Sequence, residues 1–283
     1  MKAYKLLPSL LIPGSLSSAY APDYNLQEPL IQPPHRQTPD SRRVVIRESS
    51  QSVSGSYPLY DLLSIATQSG SISVSVTPHS APSEDPSHPA SLELTSKSGS
   101  VHATLSHAFA GDDASFLPWA ARPGIPARDY VTSVSAHSGS ISGTFPLGID
   151  TWLQSRSGGL GGIELVVMPV STPGSRKLET VSHGGMQSIR IVDGGFWAAM
   201  EEPWWEGMVS RHESHSGSIN VEYPNSWEGT IEVETGSGSA SVTGRGVEII
   251  REEQGRILAR KGKGNGGKVV VRAGSGSVNL RFG

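Results

Sequence analysis

The chain has 283 residues, 36% hydrophobic and 6% aromatic, with 33 Gly and 20 Pro; that much Gly and Pro excludes a fold of long helices and suits short strands broken by turns. The net charge of −3 provides no overall field for nucleic acid or an anionic membrane. With no Cys there are no disulfides, thiolate metal sites or thiol nucleophiles, and no run of 18 apolar residues offers a membrane span.

Residues 1–41 read as a signal-like or disordered Pro-rich tail. Lys2 and Lys5 precede a short apolar run, 6–12, and Ala19-Tyr20-Ala21 has the small-x-small form of a cleavage site. Pro8, Pro13 and Gly14 interrupt that run, and Pro22, Pro29, Pro33, Pro34 and Pro39 break any regular element after it. No Asn-x-Ser/Thr acceptor occurs. A single domain is expected over 42–283, its first strand at 43–47.

From there one motif recurs: an alternating run, Ser-Gly-Ser, then a second alternating run. Copies span 65–76, 94–105, 134–145, 212–223, 233–242 and 271–282, with a weaker one at 153–159. Their central glycines are Gly70, Gly99, Gly139, Gly158, Gly217, Gly238 and Gly276, separated by 29, 40, 19, 59, 21 and 38 residues. Several intervals lie near multiples of roughly 20, the length of one turn in repeat architectures. Gly185 and Gly255 are candidates for degenerate turns, and insertions occupy 77–91 and 110–128.

Counted from each glycine, positions +2, +4 and +6 share one strand face. They carry Ile72, Val74 and Val76 in one copy, and Ile219, Val221 and Tyr223 in another. This is the expected buried face, each large aliphatic contributing roughly 1.5–3 kcal/mol when fully buried. Position −1 is Ser in all seven copies, from Ser69 to Ser275. Parity places it inward too, as a ladder of hydroxyls that must find partners, beside a glycine expected to adopt a backbone angle closed to other residues. A serine repeated in every copy is a building block, not a nucleophile. The pattern predicts an all-β, solenoid-like stack of short strands with Ser-Gly-Ser turns.

The repeats, together with Trp227-Glu228-Gly229-Thr230-Ile231, Gly244-Arg245-Gly246-Val247 and Gly274-Ser275-Gly276-Ser277-Val278, resemble the fungal branch of the adhesin-type domains of unassigned function found in bacteria and fungi. The resemblance covers roughly 60–283. It implies a right-handed β-solenoid with no assigned catalytic residues; fungal members often carry an N-terminal membrane anchor, for which this sequence shows no span.

The main feature outside the repeats is the segment 196–206, with Trp197, Trp204, Trp205, Glu201, Glu202 and Glu206. Exposed aromatics stack on sugar rings or anchor a partner, and the carboxylates accept sugar hydroxyls. Alternatively the segment folds over an open side and buries its rings. Paired carboxylates invite a glycosidase reading, but Asp112-Asp113 and Glu201-Glu202 sit in expected loops, and outward strand positions are mostly Ser, Thr and Asn with scattered charges. His212 and His215 fall on opposite strand faces, a poor metal pair. Gly158 to Gly162 lacks the aspartate of calcium-binding nonapeptides. Arg256, Arg260, Lys261, Lys263 and Lys268 read as a solvated turn between strands.

The resulting expectation is a non-catalytic secreted or cell-surface module without cofactor or metal. Trp197, Trp204, Trp205, Glu201 and Glu202 are the ligand-binding candidates, for a cell-wall polysaccharide or a surface protein and not nucleic acid. The alternatives are a polysaccharide-acting β-helix enzyme and an intracellular scaffold.

Overall fold

The computed structural model describes residues 42–106, 125–168, 174–193, 204–264 and 266–283. The expected tail at 1–41 lies outside the described residues, as does most of the 110–128 insertion.

All regular structure among the described residues is β, in 20 strands and two sheets. The eleven-strand sheet runs, in spatial order, through β1 (Arg43–Glu48), β3 (Leu62–Thr67), β5 (Ala90–Ser96), β7 (Tyr130–Ala136), β9 (Asp150–Ser155), β11 (Arg176–Ser182), β13 (Met208–Ser214), β19 (Gly267–Ser275), β15 (Gly229–Ser237), β18 (Arg256–Lys261) and β17 (Val247–Glu253). The nine-strand sheet runs through β2 (Val53–Leu59), β4 (Ile72–Pro78), β6 (Val101–Leu105), β8 (Ile141–Leu147), β10 (Leu160–Val167), β12 (Gln187–Val192), β14 (Ile219–Tyr223), β20 (Val278–Phe282) and β16 (Ala240–Gly244). Neither sheet closes on itself.

The chain thus alternates between sheets, and each odd strand with the next even strand forms a pair that hydrogen-bonds in parallel to neighbouring pairs. Two departures occur near the C-terminus. The last pair, β19–β20, lies between β13–β14 and β15–β16. The antiparallel strands β17 and β18 extend only the larger sheet.

The +2, +4 and +6 positions do face inward: Ile72, Val74, Val76, Val101, Ile141, Phe145, Ile219, Val278, Leu280 and Phe282 all belong to one buried apolar cluster drawn from both sheets. The serine at −1 does not. Ser69, Ser98, Ser138, Ser157 and Ser216 are exposed, and the buried hydroxyls sit two residues earlier, at Thr67, Ser96, Ser155, Ser182 and Ser214. The reason is local. From β3 to β13 the first strand of each pair stops at −3, and the bend that follows breaks the two-residue alternation on which the parity rests; β15 and β19 run on to −1. The −3 hydroxyls bond the backbone of the turn: Thr67 Oγ1 donates to the Gly70 carbonyl at 2.6 Å, Ser155 Oγ to that of Gly139 at 2.9 Å, and Ser214 Oγ accepts the Gly217 amide at 2.9 Å.

The motif glycine is required for space, not for torsion. A Cβ on Gly99 would lie 2.2 Å from the Gly70 carbonyl oxygen, one on Gly139 2.2 Å from that of Gly99, and one on Gly217 2.1 Å from that of Gly185. Most of these glycines have ordinary negative φ. They form a column in which successive turns touch through backbone alone. Gly185 belongs to it, whereas Gly255 turns the chain between β17 and β18.

Candidate functional site

A polar concavity lies on the outside of the nine-strand sheet, over β10, β12, β14 and β20, with a volume of about 420 Å³. It opens at an irregularity in β10, where the register shifts between Leu160 and Ile163. Gly161 and Gly162 fill that step; neither would meet an atom within 4 Å if it carried a Cβ, and Gly162 has φ +62. The floor there is bare backbone.

Two files of side chains cross the floor. Glu164, Arg190, Glu222 and Arg281 are register partners on successive strands, spaced at roughly 4.8 Å. Their charges alternate, yet among the described residues none of the four forms an ion pair. Beside them run Ser188, Asn220 and Asn279, also in register. The groove therefore presents carboxylates that only accept, guanidiniums that only donate, and amides that do both. The inward neighbours Ile163, Ile189 and Val221 are core residues, so the floor is rigid. On β12, β14 and β20 these positions are +3 and +5 from the motif glycine, and Glu164 is +6 from Gly158 because of the irregularity in β10; the sequence showed only scattered charges there. Comparing those outward positions between copies, as was done for the inward ones, would have exposed the files.

Of the ligand candidates named from sequence, Trp197, Glu201 and Glu202 lie outside the described residues. Trp204 and Trp205 are 0% and 2% exposed. Trp204 packs edge-on to Trp205 at 5.0 Å, its Nε1 donates to the Met168 carbonyl at 3.2 Å, and the Arg176 guanidinium sits 5.1 Å over its ring. Trp205, Tyr223, Trp227 and Phe282 continue the cluster. As placed, both tryptophans are core residues, and neither ring offers a face to a sugar.

Polar groups also occupy inward positions. Where other pairs carry aliphatics, β11–β14 carry Thr180, Gln187 and His212. Gln187 Nε2 donates to the Glu213 carbonyl at 2.5 Å, which orients the amide and leaves Oε1 to accept from Thr180 Oγ1 at 2.8 Å. Having spent its proton, the Thr180 hydroxyl accepts from His212 Nδ1 at 2.8 Å, and His212 Nε2 accepts from the Tyr223 hydroxyl at 2.9 Å. Burial pushes the His212 imidazole down to about 3 and the Tyr223 phenol up. This relay is sealed in the core and fixes packing.

A buried ion organises the loops. Arg128 is fully buried and donates to the carbonyls of Tyr60, His79 and His88 and to Asp61 Oδ1. Arg42 meets the same carboxylate at 2.9 Å. Burial works to raise the Asp61 carboxyl, but hydrogen bonds from Arg42 and Arg128 outweigh it and hold it below the usual carboxylate range.

His212 is buried and His215 exposed, and among the described residues no group of three His, Asp or Glu is arranged to hold a metal. The basic cluster near the C-terminus is largely paired: Arg256 with Glu234, Arg260 with Glu248, Lys268 with Glu232, while the Lys261 ammonium donates to the carbonyls of Asn225 and Trp227. No helix among the described residues is long and apolar enough to cross a membrane. Comparison of the chain with protein-family models, with curated proteins and with solved structures returns no match.

Proposed function

We propose that the chain is a non-catalytic, adhesin-like β-solenoid module of the cell surface or secreted fraction. Its groove on the nine-strand sheet binds a neutral cell-wall glycan. The solenoid reading rests on the alternation of β1 to β16 between two largely parallel sheets and on the glycine column; its hand is right-handed, the hand parallel crossovers take in nearly all cases. The observation that carries the binding reading is the pairing of an unneutralised Glu164–Arg190–Glu222–Arg281 file with an amide and hydroxyl file on a rigid floor. Such a surface can satisfy the donors and acceptors of successive sugars along one chain without ordering any loop.

The test is sedimentation with insoluble β-glucan, chitin and mannan. Wild type should co-sediment with one of them, and Arg190→Ala/Glu222→Ala should lose at least tenfold in affinity with unchanged thermal unfolding. Equal retention of the double variant, or no retention of wild type, refutes the groove as the site.

A hydrolase is the second reading, favoured by one contact: His102 Nδ1 lies 3.0 Å from Ser142 Oγ on the same outer face. A nucleophile–base dyad needs a third group to orient the base, and among the described residues no carboxylate bonds His102. Turnover of any of the three polymers that is abolished by Ser142→Ala would favour it.

A further inference from the structure

The position two residues before the motif glycine forms a file of its own along one corner. In successive pairs it is Gln68, Lys97, His137, Arg156, His183 and His215, all exposed. Alignment is set by the backbone. The amides of Lys97, His137, Arg156, His183 and His215 donate to the carbonyls of Thr67, Ser96, Ala136, Ser155 and Ser182 of the preceding pair, at 3.0–3.1 Å for all but His137 at 2.9 Å. Five consecutive pairs thus place a cation-forming side chain at the same corner. At a strand spacing of about 4.8 Å the file extends roughly 19 Å. Ser98, Ser138, Ser157 and Ser216, which the turn geometry pushes outward, add a hydroxyl beside four of these five residues.

None of the five side chains is in an ion pair among the described residues. Glu213, Glu234 and Arg272 lie at the His215 end and share a pocket of about 450 Å³ with His183 and His215. Glu213 and Glu234 are each engaged by Arg272 at 3.7 Å. The net charge of the chain is −3, so anion attraction at this corner is a local arrangement and not a global field.

We infer that this corner is a binding track for a linear acidic polysaccharide, a site separate from the groove and independent of it. The charge spacing fits a polymer with one carboxylate per sugar. Duplex nucleic acid presents phosphates every 3.4 Å per strand, and single-stranded nucleic acid is held by exposed aromatic platforms. The corner carries no Phe, Tyr or Trp, whereas its serines suit a hydroxylated chain.

The experiment is affinity electrophoresis through polygalacturonate, with dextran and oligo-dT as comparison matrices, at low salt. Wild type should be retarded by polygalacturonate at least fivefold more strongly than by dextran. Lys97→Gln/Arg156→Gln should weaken binding about tenfold and flatten its salt dependence. Arg190→Ala/Glu222→Ala, which disables the groove, should leave polygalacturonate binding unchanged, so the two sites fail separately. Equal retardation in dextran, tighter retention by oligo-dT, loss only in the groove variant, or unchanged binding of Lys97→Glu/Arg156→Glu would each overturn the inference.

Discussion

Acidification should destabilise this protein chiefly through His212. In the fold its imidazole is neutral, held between Thr180 and Tyr223, with its affinity for a proton pushed down to about 3 from an ordinary 6.5. The unfolded chain protonates this histidine below pH 6.5, while the folded chain does not until about pH 3. Between those values the unfolded state binds more protons, so stability rises with pH through the window and is complete above it. Each pH unit inside the window is worth about 1.36 kcal/mol. Lowering the pH from 7.5 to 4.5 crosses about two units of it, a loss of roughly 2.7 kcal/mol, which shifts a urea midpoint by on the order of 1 M. Asp61 does not interfere, because its carboxyl is held low and its contribution is lost only below the ordinary carboxylate range. His79, also pushed down by burial and by Arg42, acts in the same direction. The quantity to compare is therefore the pH-dependent difference in wild type and in His212→Gln, in which the cost of the substitution itself cancels. Wild type should lose about 2–3 kcal/mol more than the variant between the two pH values. An identical loss in both would refute the sealed-relay account.

The glycine column makes a position-specific prediction: Gly139→Ala should cost about 3 kcal/mol or prevent folding, while Gly161→Ala, with nothing within 4 Å, should change stability by less than about 0.5 kcal/mol. Chemical denaturation of the two proteins side by side decides it. Arg128→Met should cost roughly 3–5 kcal/mol, since it strands three carbonyls and removes one of the two guanidiniums on Asp61, and should expose the segment around His79 and His88 to limited proteolysis. Trp204→Ala should cost about 3–5 kcal/mol as a cavity in the aromatic cluster, with any loss of glycan binding tracking unfolding rather than affinity, read by binding assays below the melting range. Arg272→Glu, placed between Glu213 and Glu234, should cost about 1 kcal/mol and should be restored by adding Glu213→Arg, measured as a double-mutant cycle.

What could be read in advance was whatever repeats with strand period. Ile72, Val101, Ile141, Ile219 and Val278 recur at one offset because a parallel ladder sets equivalent residues of successive pairs side by side, and every one of them is buried. The reading failed where period-2 geometry stops. The bend at −2 to 0 reverses the sense of inside and outside, so Ser69 and its equivalents face water and Thr67 and its equivalents face the core. The glycine was visible but its reason was not, since a 2.2 Å approach belongs to two turns at once and neither records it alone. The groove and the cationic corner were hidden for the same cause: single charges at +5 and −2 look scattered until the register aligns them. The segment 196–206 gave aromatic composition without direction, and its described tryptophans face inward.

The order of the last strands shows how charge can decide what hydrophobic pattern leaves open. The inward residues of β15 and β19 are interchangeable in kind, Ile231 and Val233 against Val269 and Val271, so apolar burial alone would let β15 follow β13 directly. In that arrangement Glu234 would occupy the register position of Arg272 and lie beside Glu213, because both pair with Arg272 in the fold. Like charges directly opposite on adjacent strands are destabilising. Inserting β19–β20 instead places Lys268, Arg272 and Arg281 between strands bearing Glu213 and Glu222 on one side and Glu232 and Glu234 on the other. Lys268–Glu232 at 2.8 Å, Arg272–Glu213 at 3.7 Å and Arg272–Glu234 at 3.7 Å are the contacts that result. Each pair is half-exposed and worth little alone. Their sum need not stabilise the fold by much; it has only to separate two arrangements whose apolar contacts are nearly equal, and for that a difference of one or two kcal/mol suffices.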